Sequence, residues 1–304
     1  MSQSLVKQLL EAGIHYGHKS SNWNPKMQPY IFAKRNGIHI IDVRETIKGL
    51  LLAKKFLTRV VAKGKDIVIV GTKRQAAAAI AEKCAEADVA YVTERWLGGT
   101  LTNFRTIRSR LKRLEELETL MDGEEWASYS KKMASQLIRE RKKIERNLSG
   151  IRNLSSLPGA VVVIDVGREG NALRESQKLG IPTVCLIDTD SDPDLADIPI
   201  PGNDDAIRAI ELMVDQIIGA VKEGRTARAQ VQMQQKDGGE GGDQPRRRSS
   251  KPVAGRADEA GADSAEGPGA NESAPVEAAT ATPAEGDASG EAAAPVRAEA
   301  APSS

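Results

Sequence analysis

The sequence predicts an α/β fold: a doubly wound, mostly parallel sheet with an inserted antiparallel helical coiled-coil hairpin and a disordered C-terminal tail. Three observations predict it. Continuous Val/Ile runs such as Ile67 to Val70 and Ala160 to Val166 alternate with helical segments, and strands apolar on both faces belong to a parallel sheet covered on both sides. Between about residues 102 and 148 the apolar residues recur at three- and four-residue steps instead, the seam of two packed helices. From Asp237 to Ser304 the chain is rich in Gly, Ala, Pro and Glu and has no aromatic residue, so it cannot bury enough surface to offset the entropy of ordering.

Taken in order, Ser4 to Ala12 forms a short amphipathic helix with Leu5, Leu9 and Leu10 on one face, ended by Gly13. His15 to Met27 reads as irregular. Tyr30 to Ala33 and Ile38 to Ile41 flank Arg35-Asn36-Gly37, and Asn-Gly supplies the positive φ angles of a tight hairpin turn. Asp42 caps a helix to about Ala62, with Ile47, Leu50, Leu51 and Leu57 at helical spacing. Then come a strand at Ile67 to Val70, a helix from Gln75 to Ala87, a strand at Ala90 to Thr93, and, after the hairpin, strands at Ala160 to Val166 and Thr183 to Ile187 around a helix from Arg168 to Leu179. Asp204 to Glu223 is the last helix. Right-handed crossovers make such a sheet doubly wound. The domain boundaries follow: residues 1–101 and 149–228 for the sheet domain, 102–148 for the hairpin, 229–304 for the acidic tail.

Charge is distributed unevenly. The chain has 43 Lys and Arg against 42 Asp and Glu, yet residues 1–157 carry 29 basic and 16 acidic side chains, whereas residues 158–236 carry 8 and 13. A basic front half points to a polyanion, most often nucleic acid, bound by Coulomb attraction and counterion release. The acidic segment that follows is a poor RNA surface and is expected to face solvent or protein. No stretch approaches the roughly 20 apolar residues of a membrane span. Cys84 and Cys185 sit in separate apolar segments and read as buried thiols of a reducing compartment, the cytoplasm.

Three motifs were weighed for chemistry. Gly71-Thr72-Lys73-Arg74 joins a strand to a helix, as phosphate sites do, but it has one glycine and lacks the loops of nucleotide-binding folds. A catalytic triad is not assembled, because none of the three histidines sits in a nucleophile motif. Aspartates from Asp188 to Asp205 crowd the edge of the sheet where doubly wound folds carry ligands. Turn and capping chemistry accounts for many of them, while His18 with Asp188, Asp204 and Asp205 would suit zinc or another divalent cation. No cofactor is required. Two further segments, His15 to Met27 and Glu94 to Phe104, mix cations, aromatics and glycines as RNA-binding loops do. Trp23, Trp96 and Phe104 are expected to plug the hairpin onto the sheet domain, leaving the cations for RNA.

In those segments a resemblance emerges. AGIHYGHKSSNWNPKMQPYIF, VGTKRQA, ERWLGGTLTNFRTIRSRLKRLEELE, PGAVVVIDVGREGNALRESQKLGIP and LIDTDSDPDLADIPIPGNDDAIRAIELM are similar, in order and spacing, to the family of the second protein of the bacterial small ribosomal subunit. The resemblance spans Ser4 to about Arg228. It implies a Rossmann-like domain with a protruding coiled-coil hairpin, bound to small-subunit ribosomal RNA near the head-body junction, helping to dock the mRNA-binding first protein, without enzymatic activity or a small-molecule substrate. The tail goes beyond the usual family length, so the resemblance assigns it no role. The RNA-facing cations expected on charge and position are Lys19, Lys26, Lys73, Arg74, Arg95, Arg105, Arg108, Arg110, Lys112 and Arg113. The rival readings are a phosphate-ligand enzyme using Lys73 and the aspartates, and a free coiled-coil scaffold.

Overall fold

Side-chain alternation along four parallel strands builds two cores, and these organise the chain. A computed structural model of the protein describes residues 2–237; the tail beyond, expected to be disordered, lies outside the described residues. Strands β4 (Ile67–Val70), β5 (Ala90–Val92), β6 (Ala160–Ile164), β7 (Thr183–Ile187) and β8 (Ile198–Pro201) form an all-parallel sheet in the order β5-β4-β6-β7-β8. Ile67, Ile69, Val162, Ile164, Val184 and Leu186 point into one core, and Val68, Val70, Val161, Val163, Cys185 and Ile187 into the other, as a two-residue period requires. Both cysteines are buried and unpaired, with burial pushing each thiol up to about 12. Both sheet faces are covered, as the Val/Ile runs predicted.

The first core is closed by α1 (Ser2–Glu11), α2 (Val43–Ala62), α3 (Arg74–Glu86) and α7 (Ile207–Asp237). Asp42 accepts a hydrogen bond from the Arg44 amide at 2.9 Å, capping α2 as its position predicted. The last helix runs past the expected Glu223 end to Asp237. Among the described residues no helix is long and apolar enough to cross a membrane.

Two strands escaped the sequence reading, for different reasons. β8 carries Pro199 and Pro201 in four residues, which argues against a strand; it is tolerated because β8 lies at the sheet edge and pairs with β7 alone. The segment read as irregular contains β1 (Tyr16–Lys19), which joins β2 (Ile31–Arg35) and β3 (Ile38–Ile41) in a small antiparallel sheet ordered β1-β3-β2. Asn36 and Gly37, both at positive φ, make the predicted turn between β2 and β3. β1 lies against the end of β7, where a Cβ on Gly17 would sit 2.6 Å from Thr189 Cγ2, so only glycine allows the approach. Trp23 stacks on His39 in this region, with ring centroids 5.1 Å apart, and not at the hairpin where it was expected.

The second core is closed by α6 (Gly170–Leu179) and by the helical hairpin, α4 (Phe104–Asp122) and α5 (Lys131–Leu148). Ile107, Leu111, Leu114 and Leu117 of α4 meet Leu137, Ile144 and Leu148 of α5 in one apolar cluster, which is continuous with Trp96 and the sheet. The hairpin is thus rooted in the domain core and not merely attached beside it.

One carboxylate organises that root. Glu175 of α6 is 9% exposed and accepts hydrogen bonds from Trp96 Nε1 (3.0 Å) and from the amides of Gly99 (2.8 Å), Leu101 (2.9 Å) and Thr102 (3.1 Å), with Thr102 Oγ1 at 3.2 Å. All the donors lie in the loop that launches α4. Burial alone would raise this carboxyl group, but the converging donors outweigh it and hold Glu175 below its ordinary value. A depressed carboxyl group stabilises the fold above its unfolded-state pKa, and that stabilisation is lost as pH falls through the folded value. Glu175→Ala leaves buried donors unpaired and should cost more than about 2 kcal/mol in urea unfolding. Glu175→Gln should flatten the acid limb of the stability profile, and an unchanged limb would show that this carboxylate is not coupled to folding.

Candidate functional site

The sheet order places the reversal of strand direction of travel between β4 and β6, where doubly wound folds form a crevice at the carboxyl ends of the strands. Lys73 follows β4, Asp165 follows β6, Asp188 follows β7, and Asp204 follows β8. The strand ends therefore gather residues far apart in sequence. Lys73 Nζ lies 2.7 Å from Asp204 Oδ1, 2.6 Å from Asp205 Oδ1 and 3.5 Å from Asp165 Oδ2, with its side chain 12% exposed. Burial would lower the Lys73 ammonium, but these carboxylates outweigh it and raise its pKa. Asp204 is pushed up to about 7 by burial, with Asp188 and Asp165 adding to the rise and Lys73 opposing it.

His18 comes to the same crevice on β1, whose His18 amide donates to Thr189 Oγ1 at 2.9 Å. Its Nδ1 lies 3.0 Å from Asp188 Oδ2 and its Nε2 3.3 Å from Asp205 Oδ2. Asp188 raises the imidazole to about 9, against the pull of burial. His18, Asp188 and Asp204 offer one nitrogen and two oxygens within 4.8 Å of one another, a donor set that fits a divalent cation chemically. Asp204 is already satisfied by Lys73, so an ion there would share that carboxylate with the ammonium.

The phosphate-like turn has a different fate. The Thr72 amide, at the start of α3, donates at 2.9 Å to Glu169, a buried carboxylate. This side chain takes the place an anionic ligand would occupy at a helix N-terminus. Sequence reasoning missed Glu169 because it arrives from the segment after β6, 97 residues away.

The ten cations expected to face RNA divide into two groups. Four are engaged: Lys73 as above; Lys26 with Asp192 (2.8 Å) and Asp194 (2.6 Å); Arg113 with Glu116 (3.4 Å) and Glu140 (3.5 Å); and Arg108, which donates to the backbone oxygens of Leu154 (3.1 Å) and Arg152 (3.4 Å). Lys19, Arg74, Arg95, Arg105, Arg110 and Lys112 are exposed and have no carboxylate within 4.0 Å among the described residues. Exposed Lys131, Lys132, Lys142, Lys143 and Arg146 on α5 are equally unpaired there. That second basic arm was missing from the sequence-derived set, although its run KKMASQLIRERKKIERNL displays it. Trp96 and Phe104 do pack into the second core, leaving Arg95 and Arg105 beside them at the surface.

Comparison with known proteins bears on this arrangement. The family model described as ribosomal protein S2 matches residues 9–224, from the end of α1 to beyond the middle of α7. The chain belongs to the ribosomal protein S2 family. It is 56% identical over 225 residues to small ribosomal subunit protein uS2 of Rhodopirellula baltica, an alignment covering 74% of this chain and 86% of the relative. The protein of the same name from Syntrophobacter fumaroxidans is 49% identical over 220 residues, covering 72% of this chain and 80% of the relative. That of Solibacter usitatus is 50% identical over 221 residues, covering 72% and 73%. Membership in the ribosomal protein S2 family makes the chain a structural constituent of the small ribosomal subunit and not an enzyme.

Lys73 neutralises buried carboxylates in this S2-family domain. Lys73→Met should destabilise the fold by roughly 3–5 kcal/mol, as losing one partner of a buried ion pair does, whereas Arg74→Gln should stay within about 0.5 kcal/mol. Equal urea midpoints for the two variants would contradict a structural role for Lys73.

Proposed function

We propose that the chain binds small-subunit ribosomal RNA through its basic amino-terminal half, fixing the relative geometry of separated RNA helices by shape and charge without covalent chemistry. The observation carrying this reading is the division of its cations. Those at the sheet's carboxyl edge are consumed by carboxylates, while Lys19, Arg74, Arg95, Arg105, Arg110 and Lys112 are exposed without a carboxylate partner among the described residues. Unpaired surface cations on a rigid frame favour phosphate, since no internal partner has to be displaced. The engaged Lys26, Lys73, Arg108 and Arg113 contribute by holding that frame.

The acidic carboxyl edge is the complementary half of the proposal. Asp190, Asp194 and Asp205 are exposed there, and such a surface repels RNA. It is available to neighbouring small-subunit proteins, among them the mRNA-binding first protein that the S2 family helps to dock. The ribosome of the cytoplasm is the setting.

A second reading concerns the crevice alone: His18, Asp188 and Asp204, with Asp205 alongside, would hold zinc or another divalent cation and tie β1 to the ends of β7 and β8. Elemental analysis of the purified chain checks it. The wild type should carry close to one equivalent of metal and His18→Ala much less; equal content removes His18 as a ligand.

Replacing Lys19, Arg74, Arg95 and Arg105 together by Gln should weaken binding to small-subunit ribosomal RNA and make the slope of log K against log salt shallower by about three, from roughly 0.7–0.9 per phosphate contact. Unchanged binding and unchanged co-sedimentation with small subunits would reject the RNA-clamping function.

A further inference from the structure

Two adjoining hollows run along one side of the helical hairpin. The one nearer the domain encloses about 300 Å³. Buried Ile144 and Leu148 and half-buried Leu97 supply its apolar part, while exposed Arg110 and Lys143 and half-buried Asn147 supply its polar part. The second, about 390 Å³, shares Arg110 and Glu140 with it and adds Lys112, Arg113 and Glu116. Glu140 and Glu116 are both contacted by Arg113, so the groove carries three further cations, Arg110, Lys112 and Lys143, without a carboxylate partner among the described residues. Asn147 donates its Nδ2 to the Lys143 carbonyl at 3.1 Å, and its Oδ1 accepts no hydrogen bond there.

We infer that this groove receives an unpaired nucleotide of the ribosomal RNA, its base lying on Leu97, Ile144 and Leu148, its flanking phosphates between Arg110 and Lys143, and its edge offered to Asn147 Oδ1. The inference rests on the RNA-binding reading and deepens it by naming a subsite. Sequence-specific RNA recognition takes splayed bases into pockets that pair an apolar surface with nearby cations and amide groups. The volume lies at the lower end of the roughly 300–1,000 Å³ of small-ligand pockets. A neutral apolar side chain from a protein neighbour would use the floor but leave the unpartnered cations without a counterpart; a polyanion uses both.

The test keeps the full chain and the assembled small subunit. Asn147→Phe fills the groove from its rim and should weaken binding to small-subunit ribosomal RNA about tenfold, the scale of one lost base-stacking contact, with the melting temperature unchanged. Lys143→Ala, at an exposed position, should weaken it about threefold. A photo-reactive benzoylphenylalanine at position 147 should cross-link to one ribosomal RNA site within the particle. Cross-linking to protein alone, or full RNA affinity in both variants, overturns the subsite. Should Asn147→Phe unfold the hairpin, Lys143→Ala and the cross-link decide. None of Lys19, Arg74, Arg95 and Arg105 lines the groove, so failure of the subsite with a binding loss in that fourfold variant leaves the RNA-binding reading standing. Retained binding in the fourfold variant removes the reading itself.

Discussion

The direction in which the helical arms leave the sheet depends on one buried carboxylate meeting one loop: Glu175 receives Trp96 Nε1 and the amides of Gly99, Leu101 and Thr102 just before α4 begins. A loop carrying that many inward-facing donors cannot be buried against apolar neighbours without an acceptor. A carboxylate supplies two oxygens with several lone pairs, enough to satisfy all of them from one side chain. Because Glu175 stands on α6, which packs on the same sheet face as the hairpin, the domain and the arms share one rigid reference. Surface cations on α4 and α5 inherit their placement from it.

The same molecule handles charge in opposite ways at its two functional regions. At the carboxyl edge of the sheet, Lys73 and His18 are drawn into a group of aspartates, so positive charge there is spent on internal cohesion. Along the hairpin, Arg105, Arg110, Lys112 and the α5 cations lie outside carboxylate reach among the described residues. Net charge alone does not separate these cases. Lys73 and Arg74 are adjacent and identical in charge, yet one has a side chain 12% exposed and the other is a surface residue. Glu169 at the start of α3 completes the contrast, since an internal anion stands where a ligand would otherwise bind.

Much of this was legible in the chain because the patterns concerned are local. Continuous Val/Ile runs marked β4, β6 and β7, Asn36-Gly37 marked the hairpin turn, and Asp42 marked the start of α2. β8 was hidden because its prolines argue against strand pairing, and only its edge position makes them harmless. β1 was hidden because its partner strand is not adjacent to it in sequence. The fates of Lys26, Lys73, Arg108 and Arg113 were likewise out of reach, since most of their partners come from segments tens to more than a hundred residues away.

By itself, the order of residues determined the alternation of strands and helices, the inserted helical arms, the basic front half and the family to which the chain belongs, because periodicity and composition are properties of neighbouring residues. Tertiary structure alone decided which cations remain unpaired, that Glu169 fills the turn after β4, that Glu175 roots the arms, and that β1 brings His18 to Asp188. Each of those outcomes is a distance between groups remote in sequence, and such distances come into existence only when the sheet closes and its strand ends converge.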